Sequence, residues 1–272
     1  MYDTSADYER TIPRYVLDGL DAQRLVAARI VSLLPDTTKA VPMLVDCGAG
    51  PGLVWRYLPR SVQIVAVEPD ADMQRDPAPR NVTYVAEDGL KFMLTASTRP
   101  HLFTWLWSLN YALSAFFERL DSTGRVRCAP WGQADLLARA ALLAALRRSP
   151  KSRMFIAYFD SDSEEQQFVT EIWSQISPYP FNNRGHTRSI VEWALDVTGQ
   201  QGADWQREHV VGTALFGTIE EAPRRIMHFH FRHMPPRDQQ WAAKRVDEFC
   251  ESHNRAGIVT CAAGAYLYTR QN

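Results

Sequence analysis

The stretch "LVDCGAGPGLVW", Leu44 to Trp55, decides the fold because it joins an apolar run to a turn with three glycines. The run "VPMLVD" reads as a buried strand ending in Asp46, and "LVWRYL" predicts the first turns of a helix. Gly48, Gly50 and Gly52 lie between them. Glycine permits positive φ and lets a ligand approach the backbone. The turn therefore predicts a ligand between the strand's carboxyl end and the helix N-terminus, with a tight connection that binds nothing as the alternative.

The spacing of the glycines disfavours two common ligands. A dinucleotide fingerprint, G-x-G-x-x-G, would place its third glycine at position 53, where this chain has Leu53. No Gly-Lys-Ser/Thr follows, as a phosphate-binding P-loop would require. The observed pattern from Asp46 to Gly52 is D-x-G-x-G-x-G, so hydride transfer and nucleotide hydrolysis are both disfavoured.

Further along the chain, apolar runs alternate with helical patterns. The runs "VQIVAVEP", "NVTYVAED", "HLFTWLWSLNY" and "RMFIAYFD" read as strands, and "WGQADLLARAALLAALRRSP" is the clearest helix. Such alternation predicts an α/β fold, with a doubly wound, mostly parallel, Rossmann-like sheet of seven strands. We predict a helical N-terminal lead or cap over residues 1–40 and a cofactor-binding core over 41–160. The remainder of the sheet, with substrate-side helices and antiparallel strands, is predicted over 161–272.

Several finer predictions concern the two ends of the chain. The spacing of apolar residues predicts a helix over Leu17–Leu34. In the second half, Ser189 and Glu192 fit a capping box opening a helix that Gly199 ends. The segments "WQREHVVGTALFG" and "RRIMHFHFRHM" read as an antiparallel pair. On such a strand His228 and His230 would share a face, but no further ligand can be nominated, so no metal site is predicted.

Composition bounds the class of protein. The 272 residues carry 30 basic and 31 acidic side chains, a formal net charge of -1 that disfavours nucleic acid as a partner. The four cysteines show neither metal-ligand spacing nor a disulfide framework. The polar N-terminus lacks the features of a signal peptide, and no run has the eighteen or so apolar residues that span a bilayer. We therefore expect a cytoplasmic protein with no membrane association.

The glycine turn and the strand ends that follow it resemble the class I S-adenosylmethionine-dependent methyltransferases of the small-molecule type. "VDCGAGPG" is similar to the first motif of that family, and "VAVEPD" places Glu68 at the end of the second strand. "YVAEDGLKF" and "FTWLWSLNYAL" are similar to the third- and fourth-strand motifs. The resemblance covers roughly residues 40 to 160 and implies S-adenosylmethionine as the cofactor.

The resemblance implies a role for each matching residue. Glu68, followed by Pro69, would accept hydrogen bonds from the two ribose hydroxyls, with a solvated strand-end acid as the alternative. Asp88 would hold the adenine amino group beside Gly89, or else serve as a loop cap. Asp46 would accept from amides of its own turn or reach the ligand's ammonium through water. The backbone at Trp107 and Ser108 would line the adenosine and methionine portions. In "YERTIPRY", Arg14 or Tyr15 could close over the cofactor, and Arg14 could pair with its carboxylate.

The sequence predicts the acceptor site in less detail than the cofactor site. Aromatic faces suit a sulfonium cation, and Trp105, Trp107 and Tyr111 cluster where the fourth strand ends. "SLNY" lacks both prolines of the element found in base methylases. His186 would be a candidate base in a lid loop, with a surface or capping histidine as the alternative, and Tyr158 and Asp160 are candidates on topology alone. The catalytic candidates are thus Tyr111 and His186.

We expect methyl transfer to a small molecule, such as a specialised metabolite. The alternatives are a non-catalytic S-adenosylmethionine-binding module, an RNA or protein methyltransferase, and another adenosyl-type transferase. A basic strip beside the pocket would favour the RNA or protein enzyme; its members would be Arg147, Arg148, Lys151 and Arg153. The residues leave open the oligomeric state and which acceptor atom is methylated.

Overall fold

A computed structural model describes residues 10–36, 41–74, 81–97, 99–120, 126–148, 152–176, 184–232 and 234–271. Within these ranges the central feature is one mixed sheet of ten strands in the order β2-β1-β10-β12-β9-β6-β3-β4-β5, with β11 pairing to β12. Its strands are β1 (Arg14–Leu17), β2 (Leu20–Asp21), β3 (Met43–Cys47), β4 (Gln63–Val67), β5 (Val82–Val85), β6 (Leu102–Leu106), β9 (Arg153–Phe159), β10 (Trp205–Thr218), β11 (Asn254–Arg255) and β12 (Ile258–Arg270). A separate hairpin pairs β7 (Glu118–Leu120) with β8 (Val126–Cys128).

The parallel part of the sheet confirms the predicted α/β class. Strands β5, β4, β3, β6 and β9 pair in parallel, so their carboxyl ends share one edge. Strands β12, β10, β1 and β2 extend the sheet in antiparallel fashion. The predicted number of strands was too low because β1, β2 and β11 are only two to four residues long. Segments this short carry no readable alternation.

Helices cover both faces of this sheet, because each has an apolar side to bury. They are α1 (Ala22–Leu33), α2 (Gly89–Thr95), α3 (Leu109–Ser114), α4 (Trp131–Arg148), α5 (Glu164–Ser174), α6 (Arg184–Gln200), α7 (Ala222–His230) and α8 (Pro236–Ser252). One core cluster contains residues of α2, α3, α4 and α6, and another contains residues of α1 and of the turn after β3. A third packs α5, α7 and α8 against β10 and β12. In the described ranges no helix is long and apolar enough to cross a membrane.

The N-terminal lead differs from the predicted helix over Leu17–Leu34. Asp18 and Gly19 both have positive φ, and they form the turn between β1 and β2. Helix α1 begins only after Asp21, whose carboxylate accepts hydrogen bonds from two amides of the first helical turn. This cap sets the helix start. The apolar residues before Asp21 belong to strands instead, Leu17 to β1 and Leu20 to β2.

Two predictions for the second half were wrong. β10 pairs with β12, whereas Ala222–His230 is helix α7, which starts with a proline in its first turn and spreads its apolar residues at helical spacing. His228 and His230 therefore share no strand face. Helix α6 already begins at Arg184 and runs through Ser189, whose hydroxyl donates to the His186 carbonyl within the helix. The predicted capping box does not open a helix, and the helix ends at Gln200, one residue beyond Gly199.

Candidate functional site

A cavity of about 850 Å³ opens at the carboxyl ends of the parallel strands. Ligands bind at this edge in open α/β sheets. Every predicted cofactor-binding residue and one of the two catalytic candidates line it; they are Arg14, Tyr15, Asp46, Gly48, Gly50, Gly52, Glu68, Pro69, Asp88, Gly89, Trp107 and Tyr111. His186, Tyr158 and Asp160 do not line it.

Glycine occupies the three positions of the turn for different physical reasons. All have positive φ, between +51° and +65°. A Cβ on Gly48 would lie 2.6 Å from Cβ of Ser108, and one on Gly52 would lie 2.1 Å from the ring of Trp55. A Cβ on Gly50 would meet only the methyl of Met73, at 3.7 Å. Gly48 and Gly52 are thus required by packing within the protein, while Gly50 borders open cavity.

Glu68 is held against the glycine turn by two backbone amides. Gly50 N–H donates to its Oε2 at 2.8 Å, and Asp70 N–H donates to Oε1 at 3.0 Å. The side chain is largely buried, and this burial raises the pKa of Glu68 while the two amides oppose the rise. Each carboxylate oxygen can accept a second hydrogen bond, so Glu68 can serve both the turn and a ligand in the cavity.

Asp46 is bound differently from the prediction. Its carboxylate accepts from Trp55 Nε1–H and from the Thr104 hydroxyl, both at 2.8 Å, rather than from amides of the turn. Asp46 is 1% exposed, and this burial raises its pKa to about 6, against the two hydrogen bonds that lower it. The turn amides of Gly48 and Ala49 instead donate to the Val67 carbonyl. The Asp46 carboxylate therefore connects the Trp55 side chain to Thr104 of β6.

Asp88 and Gly89 begin helix α2. The Asp88 carboxylate accepts from Lys91 N–H at 2.9 Å, as an N-cap does. A Cβ on Gly89 would lie 2.5 Å from the Trp105 ring and 2.9 Å from Cys47. Glycine at this position is explained by the packing of Trp105, not by a ligand.

The turn after β6 carries a strained residue. Trp107 has φ +57°, a conformation that is costly for a bulky side chain and that occurs mainly at functional sites. Its ring lies against Phe159, with centroids 6.4 Å apart. The next residue, Ser108, donates to the Cys47 carbonyl at 2.7 Å and so joins this turn to the end of β3. Tyr111, 47% exposed, lies at the start of α3 on the cavity wall.

The wall opposite the glycine turn was missed by sequence reasoning. It includes Trp173 of α5, Phe229 and His230 of α7, and Arg232. The sequence predicts His230 in a strand, and no local pattern connects it with Tyr15 or α5. The amphipathic helical spacing of Ala222–His230 was the available signal.

The remaining candidates lie elsewhere. His186 does not line the cavity, because it sits within α6 against Trp131, with ring centroids 4.4 Å apart, and 3.2 Å from Asp135. Desolvation lowers the pKa of its imidazole. Tyr158 is buried against Thr187, and Asp160 pairs with His209 at 2.8 Å. The structure brings none of these to the cavity.

Comparison with known proteins supports the fold. No protein family and no curated protein matches the sequence. The chain is similar to a solved structure from Anabaena variabilis, assigned as a methyltransferase of an antibiotic biosynthesis pathway. The identity is 10%, the match covers 90% of this chain and 96% of that chain, and the TM-score is 0.52. The chain has a methyltransferase-like fold.

Two further solved structures are similar over most of their length. A protein from Bacillus halodurans, also assigned as a methyltransferase, is 12% identical with a TM-score of 0.49, over 90% of this chain and 98% of that chain. The cyclopropane synthase MmaA2 from Mycobacterium tuberculosis is 12% identical with a TM-score of 0.45, over 91% and 84%. At such identities the likeness concerns the fold, and the activity depends on the site.

Proposed function

We propose that this protein is a cytoplasmic enzyme that transfers a methyl group from S-adenosylmethionine to a small-molecule acceptor. The observation that carries the proposal is the cavity in which the Gly50 backbone and the Glu68 carboxylate face the same space. Residues 41–160 would bind the cofactor, and residues 161–272 would complete the acceptor side.

The cofactor end of the cavity has the chemistry that S-adenosylmethionine requires. Glu68 would accept hydrogen bonds from the ribose hydroxyls while retaining its two amide partners. Asp46 and Asp88 add negative potential near a ligand that carries positive charge. Arg14, whose side chain is 69% exposed and lies 3.8 Å from Asp21, could turn to a carboxylate. When bound, the cofactor supplies an activated methyl group, and the residues around it align the acceptor and exclude water.

Two observations favour a small acceptor over RNA or protein. The cavity volume of about 850 Å³ is near the upper end of the roughly 300–1,000 Å³ of ligand pockets, which suits a cofactor and an acceptor together. Of the basic residues that would support an RNA or protein enzyme, Arg153 is not beside the cavity, because it begins β9 and the cavity meets the other end of that strand, at Phe159. Six steps of about 3.3 Å separate them by roughly 20 Å. Lys151 lies outside the described residues.

Calorimetric titration of the purified protein with S-adenosylmethionine, S-adenosylhomocysteine and NAD tests the proposal. We expect micromolar binding of the first two and none of NAD. A Glu68→Gln variant should bind more weakly by about 1–3 kcal/mol, because a charged acceptor is lost. Binding of NAD alone, or of none of the three, would refute the assignment. Binding without turnover on any acceptor would favour the non-catalytic module.

A further inference from the structure

Two arginines meet one tyrosine ring beside the cavity. The guanidinium of Arg24 lies over the Tyr57 ring, 5.4 Å from its centroid, and that of Arg56 lies over it at 5.5 Å. Arg24 belongs to the first turn of α1, whereas Arg56 and Tyr57 belong to the 3-10 helix Trp55–Tyr57 that follows the glycine turn. Arg56 and Tyr57 line the cavity, and both arginines are exposed to solvent. We call Arg24, Arg56 and Tyr57 the arginine rim.

The guanidinium of Arg56 is held in a fixed orientation. Its Nε–H donates to the Leu53 carbonyl at 2.9 Å, and its Nη2 donates to Gln23 Oε1 at 3.0 Å. Because a guanidinium is planar and rigid, these two hydrogen bonds fix its plane and set the directions of its other N–H groups. Gln23 lines the cavity as well. A ligand that binds Arg56 therefore has little side-chain freedom to remove.

The positive charge of the rim is not neutralised by the described part of the chain. Neither Arg24 nor Arg56 forms an ion pair there. Arg29, on the same helix as Arg24, is instead paired with Glu208 at 2.7 Å. The Asp21 carboxylate at the start of α1 accepts hydrogen bonds from two amides of that helix. Since two like charges over one ring repel each other, an anion that contacts both would be stabilised.

We propose that the arginine rim binds the phosphate of a phosphomonoester, and that this phosphomonoester is the methyl acceptor. The naming of the acceptor rests on the proposed function. A phosphate monoester has three terminal oxygens and pairs with guanidinium groups through parallel hydrogen bonds, so it can contact Arg24 and Arg56 together. Its organic group extends past Tyr57 into the cavity. The phosphate takes no part in methyl transfer and holds the acceptor in place.

The charges of the cavity suit two ligands of opposite charge. Its acidic groups lie at the ends of parallel strands, where Glu68 directly follows β4 and Asp88 precedes α2. These groups attract a cofactor that carries a sulfonium and an ammonium, whereas the arginine rim attracts an anion. Arg14 is the residue proposed for the carboxylate of the cofactor. The arginine rim is therefore available to the second substrate.

The experiment titrates two phosphate probes into the protein by calorimetry. An acceptor must occupy the cavity together with the cofactor, so the protein is first saturated with S-adenosylhomocysteine. Inorganic phosphate and phenyl phosphate are then compared at constant ionic strength. We expect phenyl phosphate to bind at least tenfold more tightly, because its ring enters the aromatic cavity. Arg24→Gln and Arg56→Gln should each weaken this binding at least tenfold, because a charged donor to the phosphate is lost.

Matched controls come from the same helix and the same ring. Arg29→Gln removes an equal charge from α1, at an arginine that is paired with Glu208, and should bind phenyl phosphate as the wild type does. Tyr57→Phe keeps the ring under both guanidiniums and should also keep the affinity. Tyr57→Leu removes the ring and should weaken binding by about two- to fivefold. Titration of every variant with S-adenosylhomocysteine shows whether the cofactor site is intact.

The possible results separate the two proposals. If the wild-type protein does not bind S-adenosylhomocysteine, the proposed function fails, and the acceptor assignment fails with it. If it binds S-adenosylhomocysteine but not phenyl phosphate, or if Arg24→Gln and Arg56→Gln bind phenyl phosphate normally, this inference alone is overturned. Inorganic phosphate binding as tightly as phenyl phosphate would indicate a site for the free ion. Loss of S-adenosylhomocysteine affinity in Arg56→Gln would assign the rim to the carboxylate of the cofactor. Each of these last two results also overturns the inference.

Discussion

Gly50 is the residue whose side-chain position points most directly at a ligand. A methyl group there would enter open cavity, whereas at Gly48 or Gly52 it would collide with Ser108 or Trp55. Gly50→Ala should weaken S-adenosylhomocysteine binding at least tenfold, about 1.4 kcal/mol, measured by calorimetry.

The control for Gly50→Ala is Gly19→Ala. Gly19 also has positive φ, +74°, and nothing lies within 4 Å of an added Cβ. Both variants should lose about 1–2 kcal/mol of stability from the left-handed conformation, but only Gly50→Ala should lose affinity. Equal affinities in the two variants would show that the ligand does not approach Gly50.

Asp46 makes stability depend on pH. The pKa of Asp46 in the folded protein is about 6, above its ordinary value of 3.8, because the carboxyl is buried. Between these values the folded protein keeps a proton that the unfolded chain has released, so raising the pH lowers the free energy of unfolding. At about 1.36 kcal/mol per pKa unit, this amounts to a loss on the order of 3 kcal/mol. The stabilising contribution of Asp46 is fully present below pH 3.8 and is lost once the pH is above about 6.

Urea unfolding of wild type and Asp46→Asn measures this contribution. Asparagine does not titrate, so the stability of the wild type relative to Asp46→Asn should fall as the pH rises from 3.8 to about 6. A difference between the two proteins that stays constant over this window would contradict the raised pKa.

Helix starts show where local patterns succeed and fail. The cap at Asp88 is present, whereas Ser189 lies inside α6 and its hydroxyl donates to a carbonyl of its own helix. Asp88→Ala should therefore cost about 1 kcal/mol of stability, while Ser189→Ala should change it by less than about 0.5 kcal/mol. Thermal unfolding of both variants checks this. A larger loss for Ser189→Ala would show that the helix begins where the capping box predicted.

Helix α7 shows why the second half was misread. In "MHFHF" the apolar and polar residues alternate with the period of a strand, which obscures the helical spacing of the buried residues Ala222, Ile226 and His230. Tertiary packing decides the matter, because Ile226 and His230 are buried against α5 and α8 on one helical face. A metal site on a shared strand face of His228 and His230 is ruled out by this helix.

At the scale of the whole molecule, the sequence predicted the parallel half and its ligand edge. The buried apolar strands β3 and β4 and the glycine turn are local signals, and Glu68 is placed by them because it directly follows β4. The cavity wall opposite the glycine turn is formed by contacts between residues that are far apart in the sequence. Tyr15 meets Glu165 across 150 positions, and Glu165 meets His230 across 65, with no pattern in the chain that announces either contact. The acceptor side therefore had to come from the structure.

Strand β1 brings Tyr15 to the cavity, and pairing with β10 holds β1 in place. Gly212 of β10 pairs with Leu17 of β1, and a Cβ on Gly212 would lie 1.9 Å from the Val16 carbonyl oxygen. Neither backbone can move aside while the strands remain paired. Gly212→Ala should thus release β1 from β10 and remove Tyr15 from Glu165, although Gly212 itself does not line the cavity.

Hydrogen exchange followed by mass spectrometry tests this release. Amides of residues 14–17 should exchange at least tenfold faster in Gly212→Ala, because the pairing that protects them is lost. Gly199→Ala is the control, since an added Cβ there meets no atom within 4 Å. Wild-type protection of residues 14–17 in Gly212→Ala would mean that the sheet edge adapts to the extra methyl. In that case β1 holds its place through Tyr15 and Glu165, and Tyr15→Phe should be the variant that frees it.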